Sequence, residues 1–488
     1  MTYTDYKDAT ALAKAIKKGE ITPLQAVQAA LEEVKQHNDD LNALVYLREE
    51  EALQEATEIT DLNKPFSGVP IVLKDLGHNL KGMPAATGSK MFKENIAEST
   101  PNFTQSFLDQ GFIVIGQSQV PEFGMVTYSH NEAFGTSKNP INTDHTPGGS
   151  SGGAAAAIQS GIVHIATASD GGGSIRVPAS YTGLIGLKPT RGRTSVGPGK
   201  WRSWAGAAVS FALTQTMRDT EKLLLEVQDN KLANPFNIEK LTAENMEEAK
   251  VNVKSLRIAY STDAPLNYEV SDDSFNAVKK TVDFLKDQGF SVTEAQPDID
   301  YEKLYREYYK VTSVETAVTF AGAEKTLGRP VSKEDVELQN YVVGKYGESL
   351  SGVDYTKALQ AFDLATEKMM NFHENYDIFI TPTTSKTAPR NDTVYHSDDL
   401  LERMAQADHL DKESLEKLNW AMFSKALSYT SFVQLHNITG APAISLPLYT
   451  AENGLPLGVQ LVAPKMREDW LIALGSLFES NNRFKYYR

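Results

Sequence analysis

Residues 148–180, GGSSGGAAAAIQSGIVHIATASDGGGSIRVPAS, decide the fold class. Two glycine-rich turns each present a serine, Ser150 in the first and Ser174 at the end of the second. Between them an alanine-rich segment has the composition of a helix, and the apolar run 162–168 reads as a buried strand. The same grammar recurs along the chain. GVPIVLKDL (68–76) is a turn followed by a short buried strand that ends in Lys74. Residues 106–110, Gly111 and 112–115 read as helix, cap and strand, and 272–288, Gly289 and 290–292 repeat that pattern. Buried apolar strands alternating with helices predict an α/β protein whose sheet is covered by helices on both faces.

Working outward, residues 5–18 read as a first helix, and Thr22 before Pro23 is an N-cap and first-turn pair that starts a second, running to about His37. From about 295 to 425 the chain becomes mostly polar helix, rich in Glu, Lys and Asp, interrupted by a strand-like segment at 378–381. The charge run 412–417 reads as a solvated helix face. APAISLPL and GLPLGVQLVAP then predict two strands joined by a turn, and residues 469–479 a helix. No internal repeat or low-complexity linker divides the chain. Residues 1–488 are therefore read as a single domain, with about 60–220 as its core and about 295–425 as a helical, substrate-side elaboration.

Composition narrows the function. The chain carries 48 Lys and Arg against 63 Asp and Glu, a net charge of −15, which disfavours nucleic-acid and anionic-membrane partners. It has no cysteine, which removes disulfides, thiolate nucleophiles and Cys-ligated metals. The nine histidines show no HExxH or other ligand spacing, so neither a metal nor a cofactor is expected, and His145 and His164 read as structural. The mixed-charge N-terminus has no apolar h-region, and no stretch approaches the ~20 apolar residues of a membrane span. A cytoplasmic location is expected.

Three positions carry chemistry. Ser174 follows Asp170 and the glycines 171, 172 and 173, whose backbone can turn tightly and aim N–H groups at a developing oxyanion. Alone, this reads equally as a plain glycine loop. Ser150, flanked by glycines, can take a rare backbone geometry such as a cis peptide, which tends to mark function. It also reads as a turn before a helix, but not as a Walker loop, since the Gly-Lys-Ser/Thr is absent. Lys74, desolvated at the end of an apolar strand, would favour its neutral form and act as a base; the bland reading is a strand-end lysine reaching water or paired with Asp75.

Together these segments resemble the amidase signature family, whose members use a Ser–cis-Ser–Lys triad. The likeness is densest from 68 to 193 and returns at YDIFITPT (376–383), NITGAPAISLP and GLPLGVQ (437–460). It implies an α/β fold with a large mixed β-sheet core covered by helices on both faces, Ser174 as nucleophile, Ser150 as cis-serine, Lys74 as base, and the N–H groups of Gly171, Gly172, Gly173 and Ser174 as the oxyanion hole. Asp170 and Arg176 match positions that brace the loop. One departure is visible: many members have Thr or Ile where this chain has Gly171, which either loosens the hole or makes room for a bulkier acyl group.

The resemblance also bears on substrate. PEFGMVTYSHNEAFG (121–135) matches the block lining the acyl pocket, making Tyr128, Ser129 and Phe134 candidate contacts, while Met125 and Phe134 read equally as core. Trp201 and Trp204 in GPGKWRSWAGAA (197–208) read as a pocket wall or lid, or as packing under the loop. Segment 205–222 lacks the Asp…Gly-Pro usual in the glutaminase A-type subunit of tRNA-dependent amidotransferases, the runner-up reading. It looks more like the branch of 6-aminohexanoate cyclic-dimer hydrolases. A cofactor-free amidase acting on small linear or cyclic carboxamides through an acyl-enzyme is expected, with a small-molecule amide as partner and, by analogy, a homodimer.

Overall fold

The computed structural model describes residues 6–487. Its strands are β1 (Leu44–Leu47), β2 (Pro70–Lys74), β3 (Ile113–Ser118), β4 (His130–Asn131), β5 (Gly135–Thr136), β6 (Ala166–Asp170), β7 (Ile185–Lys188), β8 (Val209–Thr214), β9 (Arg257–Tyr260), β10 (Ser291–Glu294), β11 (Ile378–Pro382), β12 (Ala443–Thr450) and β13 (Pro456–Val462). The pair β4–β5 forms a small ribbon, and the other strands build one 11-stranded sheet, ordered β1-β3-β2-β6-β8-β7-β12-β13-β11-β9-β10. The pairs β2–β3, β2–β6, β9–β10 and β9–β11 are parallel, and the rest of the sheet is antiparallel.

Both faces are covered, as buried strands require. Side-chain alternation divides β11 between two cores: Ile378 and Ile380 belong to one, Phe379 to the other. The first core packs the helices Pro23–Leu41, Gly152–Gln159, Asp272–Asp287 and Glu468–Ser480 on the sheet. The second joins it to the long helices Tyr301–Leu327, Leu338–Ser349, Gly352–His373 and Lys412–Thr430. This elaboration is polar only outside; Tyr305, Tyr308, Tyr309 and Phe320 are buried along its first helix.

Local signals placed most elements. Thr22 and Gln25 form a reciprocal capping box with Pro23 in the first turn, and that helix continues past His37 to Leu41. The first helix runs Ala9–Lys17, capped by Asp8; residue 5, where its start was expected, lies outside the described residues, as do the other ends of the 1–488 span. The expected strand at 162–168 begins only at Ala166. The amides of Ile162 and Val163 both donate to Ala157 O, so they close the preceding helix and cannot join the ladder. No helix among the described residues is long and apolar enough to cross a membrane.

Strands β2 and β6 are neighbours and parallel, so their C-terminal ends open on the same side of the sheet. That is the usual position for a site in an open α/β sheet. Lys74 ends β2, and Asp170 with its glycine turn ends β6.

Candidate active site

Lys74 is fully buried, and its Nζ lies within hydrogen-bond distance of Ser150 Oγ (2.8 Å), Ser169 Oγ (3.0 Å) and Ser169 O (3.2 Å). Burial pushes the Lys74 amine down to about 7, against a smaller upward pull from Asp170. Its backbone N–H donates to Thr167 Oγ1, which also lies 2.8 Å from His78 Nδ1. Burial, and then the charge of Lys74, keep His78 well below its ordinary range, so it stands as a neutral spacer beside the amine. Asp75 does not pair with Lys74. Its Oδ2 accepts the N–H of Gly88 at 3.1 Å, and burial pushes its carboxyl up to about 7 against the turn amides.

The Gly149–Ser150 peptide is cis. Ser129 Oγ donates to Gly148 O at 2.7 Å and so fastens the turn that carries Ser150. Gly124 backs the other side: its φ is +66°, and a Cβ there would stand 3.0 Å from Ser150 Oγ and 2.5 Å from Leu76 Cδ2. Ser174 is also buried; its carbonyl accepts the N–H of Ser151 at 3.3 Å, so the two serine turns are tied by their backbones.

Asp170 organises the glycine turn. Its carboxylate accepts the N–H groups of Gly173 (2.7 Å) and Ile175 (3.1 Å), and meets Arg176 Nε and Nη2, each at 2.9 Å. Burial would raise this carboxyl, but the Arg176 charge and its hydrogen bonds outweigh it and hold the group well below the usual range. Arg176 is satisfied in turn by Val433 O, Gln460 Oε1 and Asn437 Oδ1. The pair is fully buried, and removing one partner of such a pair typically costs 3–5 kcal/mol. The expected bracing by Asp170 and Arg176 is what the geometry shows. Because Gly173 N–H is taken by Asp170, it points away from the task expected of it.

A narrow cleft opens in front of Ser174 and Gly172. Met125, Val126, Trp204, Tyr309, Phe423 and Leu427 supply much of its wall, and no charged residue lines it. The structure brings Lys74, Ser150 and the cleft-facing Ser174 to one end of the sheet. None of the three expected substrate contacts lines that cleft. Tyr128 stacks on Tyr395 with ring centroids 4.1 Å apart, Ser129 braces the cis-peptide turn, and Phe134 packs edge-on to Tyr46 under Lys93. Their neighbours Met125, Val126 and Thr127 face the cleft instead. Trp204 is a wall of the cleft, while Trp201 packs over Gly197.

Several contributors have no local sequence signal. Tyr308 lies deep in a long helix, lines the cleft, and its Oη donates to Gly171 O at 2.9 Å. Phe423 and Leu427 come from another helix of the same elaboration. Polar helices with aromatic inner faces are common, and only the tertiary fold shows which inner face is a binding wall. Among the described residues, no cluster of His, Asp or Glu is arranged to hold a metal ion.

This arrangement defines a class, and comparison with known proteins agrees with it. The chain belongs to the amidase family, which its residues 25–472 match. It is 37% identical over 481 residues to a lipoamidase of Enterococcus faecalis, covering 98% of this chain but 64% of that protein, so this chain spans less than two thirds of that relative. It is 29% identical to 6-aminohexanoate-cyclic-dimer hydrolase of Pseudomonas sp. (strain NK87), covering 97% of this chain and 94% of that protein. A solved structure of 6-aminohexanoate cyclic dimer hydrolase superposes with a TM-score of 0.88 at 28% identity, covering 98% of this chain and 97% of that one.

Proposed function

We propose that this protein is a serine amidase that hydrolyses the C–N bond of small linear or cyclic carboxamides through an acyl-enzyme, with Ser174 as nucleophile, Ser150 as relay and Lys74 as base. The observation that carries the reading is the 2.8 Å contact between Lys74 Nζ and Ser150 Oγ, with the amine held near pKa 7 by burial. A lysine in that state is a base at neutral pH, which an exposed lysine is not.

In the proposed reaction neutral Lys74 takes the Ser150 proton and Ser150 takes the Ser174 proton as Ser174 Oγ bonds to the amide carbon. The carbonyl oxygen becomes an oxyanion. The amides of Gly171, Gly172 and Ser174 are its candidate donors, since Gly173 is engaged by Asp170. Each such donor contributes about 3–4 kcal/mol in other acyl-transfer enzymes. Collapse breaks the C–N bond, and the proton returns through Ser150 to the leaving amine. Water, deprotonated by the same relay, then releases the acid and frees Ser174.

The uncharged cleft wall supports a neutral acyl group, since an unpaired charge there would be desolvated without a partner. Similarity to a lipoamidase and to a cyclic-dimer hydrolase supports amide hydrolysis at this site. The test is turnover of a panel of neutral linear and cyclic amides by the isolated chain and by Ser174→Ala. Release of amine by the wild type alone is expected. Equal release by Ser174→Ala, or activity that requires a protein partner, contradicts the proposal.

A further inference from the structure

Gly171 is neither a loosened loop nor spare room. A Cβ at this position would stand 2.5 Å from Cε3 and 2.6 Å from Cζ3 of Trp204, so the indole occupies the space a side chain at 171 would need. Trp204 shares the cleft with Ser174 and Gly172. The same indole meets the Tyr308 ring edge-on, centroids 6.0 Å apart at 82°. Tyr308 Oη holds the carbonyl of Gly171 itself.

The indole is held there by an unusual backbone. Trp204 (φ 51°, ψ 49°) and Ala205 (φ 53°, ψ 26°) are consecutive non-glycine residues in the left-handed region, which L side chains avoid. Their two N–H groups converge on one carboxylate: Trp204 N donates to Glu315 Oε2 at 2.7 Å and Ala205 N to Glu315 Oε1 at 2.8 Å. Glu315 lies on the helix Tyr301–Leu327, as does Tyr308. One helix of the elaboration thus fixes both the indole and the turn before Ser174.

We propose that Trp204 is the acyl-selecting wall of this site, admitted by the missing side chain at Gly171 and locked in place by Glu315 as a positioning residue. The inference rests on the amidase reading above. The indole stands against the turn that would receive the carbonyl oxygen, so it crowds the carbon next to that carbonyl. The substrates it admits are amides of neutral acyl groups unbranched at that carbon, and α-branched acyl groups are excluded.

The test uses p-nitroanilides and p-nitrophenyl esters of butyric, isobutyric and pivalic acids, with wild type, Trp204→Ala, Trp204→Phe, Gly171→Ala, the double variant Gly171→Ala/Trp204→Ala, and Glu315→Ala. Circular dichroism and melting confirm that each is folded. Trp204→Ala is expected to raise the branched-to-linear ratio of kcat/KM by about tenfold or more, the worth of one or two methyl groups in an apolar pocket. Trp204→Phe lies between, and Glu315→Ala moves the ratio the same way by a smaller factor. Gly171→Ala is expected to lose at least about tenfold on the butyryl ester, and the double variant to recover part of that loss, because the clash partner is gone. The melting temperatures of the four proteins in that cycle should show the same coupling. Turnover with an unchanged ratio in Trp204→Ala, or independent effects of Gly171→Ala and Trp204→Ala, overturns this inference alone. A wild type inert toward every substrate overturns the amidase reading and this inference with it.

Discussion

Replacing Lys74 by Met should remove activity and remove a pH dependence of stability between pH 7 and 10. The amine falls from 10.5 to about 7 on burial, which at 1.36 kcal/mol per tenfold amounts to about 5 kcal/mol of desolvation carried by the folded state. Met removes that cost but gives up the contacts to Ser169 Oγ and Ser169 O, worth about 1 kcal/mol each, and strands the buried Ser150 Oγ at about 1–3 kcal/mol. At pH 7 these losses offset most of the gain, so the stability difference between the two proteins is read from its pH dependence. The folded pKa lies below the unfolded one, so between pH 7 and 10.5 the unfolded wild type binds more protons, and wild-type stability climbs through that window. By pH 10 most of the desolvation cost is gone, and Lys74→Met should be the less stable protein. Urea unfolding of both proteins at pH 7 and pH 10, alongside amide turnover, measures this. A stability difference that stays constant from pH 7 to pH 10 refutes the argument that a desolvated neutral amine sits here.

Three further outcomes follow from the same geometry. In the proposed mechanism only neutral Lys74 serves as base, and its amine sits near 7, so wild-type kcat/KM should fall about tenfold per pH unit below that value and level off above it; a flat profile from pH 5 to 8 contradicts the assignment. Arg176→Met leaves the Asp170 carboxylate buried beside an apolar side chain and should cost about 3–5 kcal/mol, read as a lowered urea midpoint; a loss below about 1 kcal/mol contradicts the role given to this pair. Phe134→Leu should leave kcat/KM within about twofold of wild type, because the ring packs on Tyr46 and not in the cleft; a tenfold change in KM would return Phe134 to the substrate contacts.

What the sequence discloses here depends on range. Lys74 at the end of an apolar pentapeptide, and two serines in glycine turns on either side of a helix and strand, are local patterns, and the sheet brings them together because β2 and β6 are parallel neighbours. The Asp170–Arg176 brace spans six residues and is legible for the same reason. The failures are tertiary. Ser129 and Phe134 sit in a block that touches the site, but the chain turns there, and their neighbours Met125 and Thr127 take the cleft-facing positions. Asp75 adjoins Lys74 in sequence, yet its carboxylate turns to the Gly88 amide. The grip of Glu315 on Trp204 spans 111 residues and leaves no periodic trace, so the glycine at 171 reads as spare room until the indole filling it is seen.

The central claim, an activated Ser174, is tested most directly by intact-protein mass spectrometry after exposure to a fluorophosphonate, followed by peptide mapping. The account predicts one adduct per wild-type chain, mapped to Ser174, no adduct on Ser174→Ala, and strongly slowed labelling of Lys74→Met. An adduct that persists on Ser174→Ala or maps to Ser150, or labelling of Lys74→Met at the wild-type rate, would contradict it.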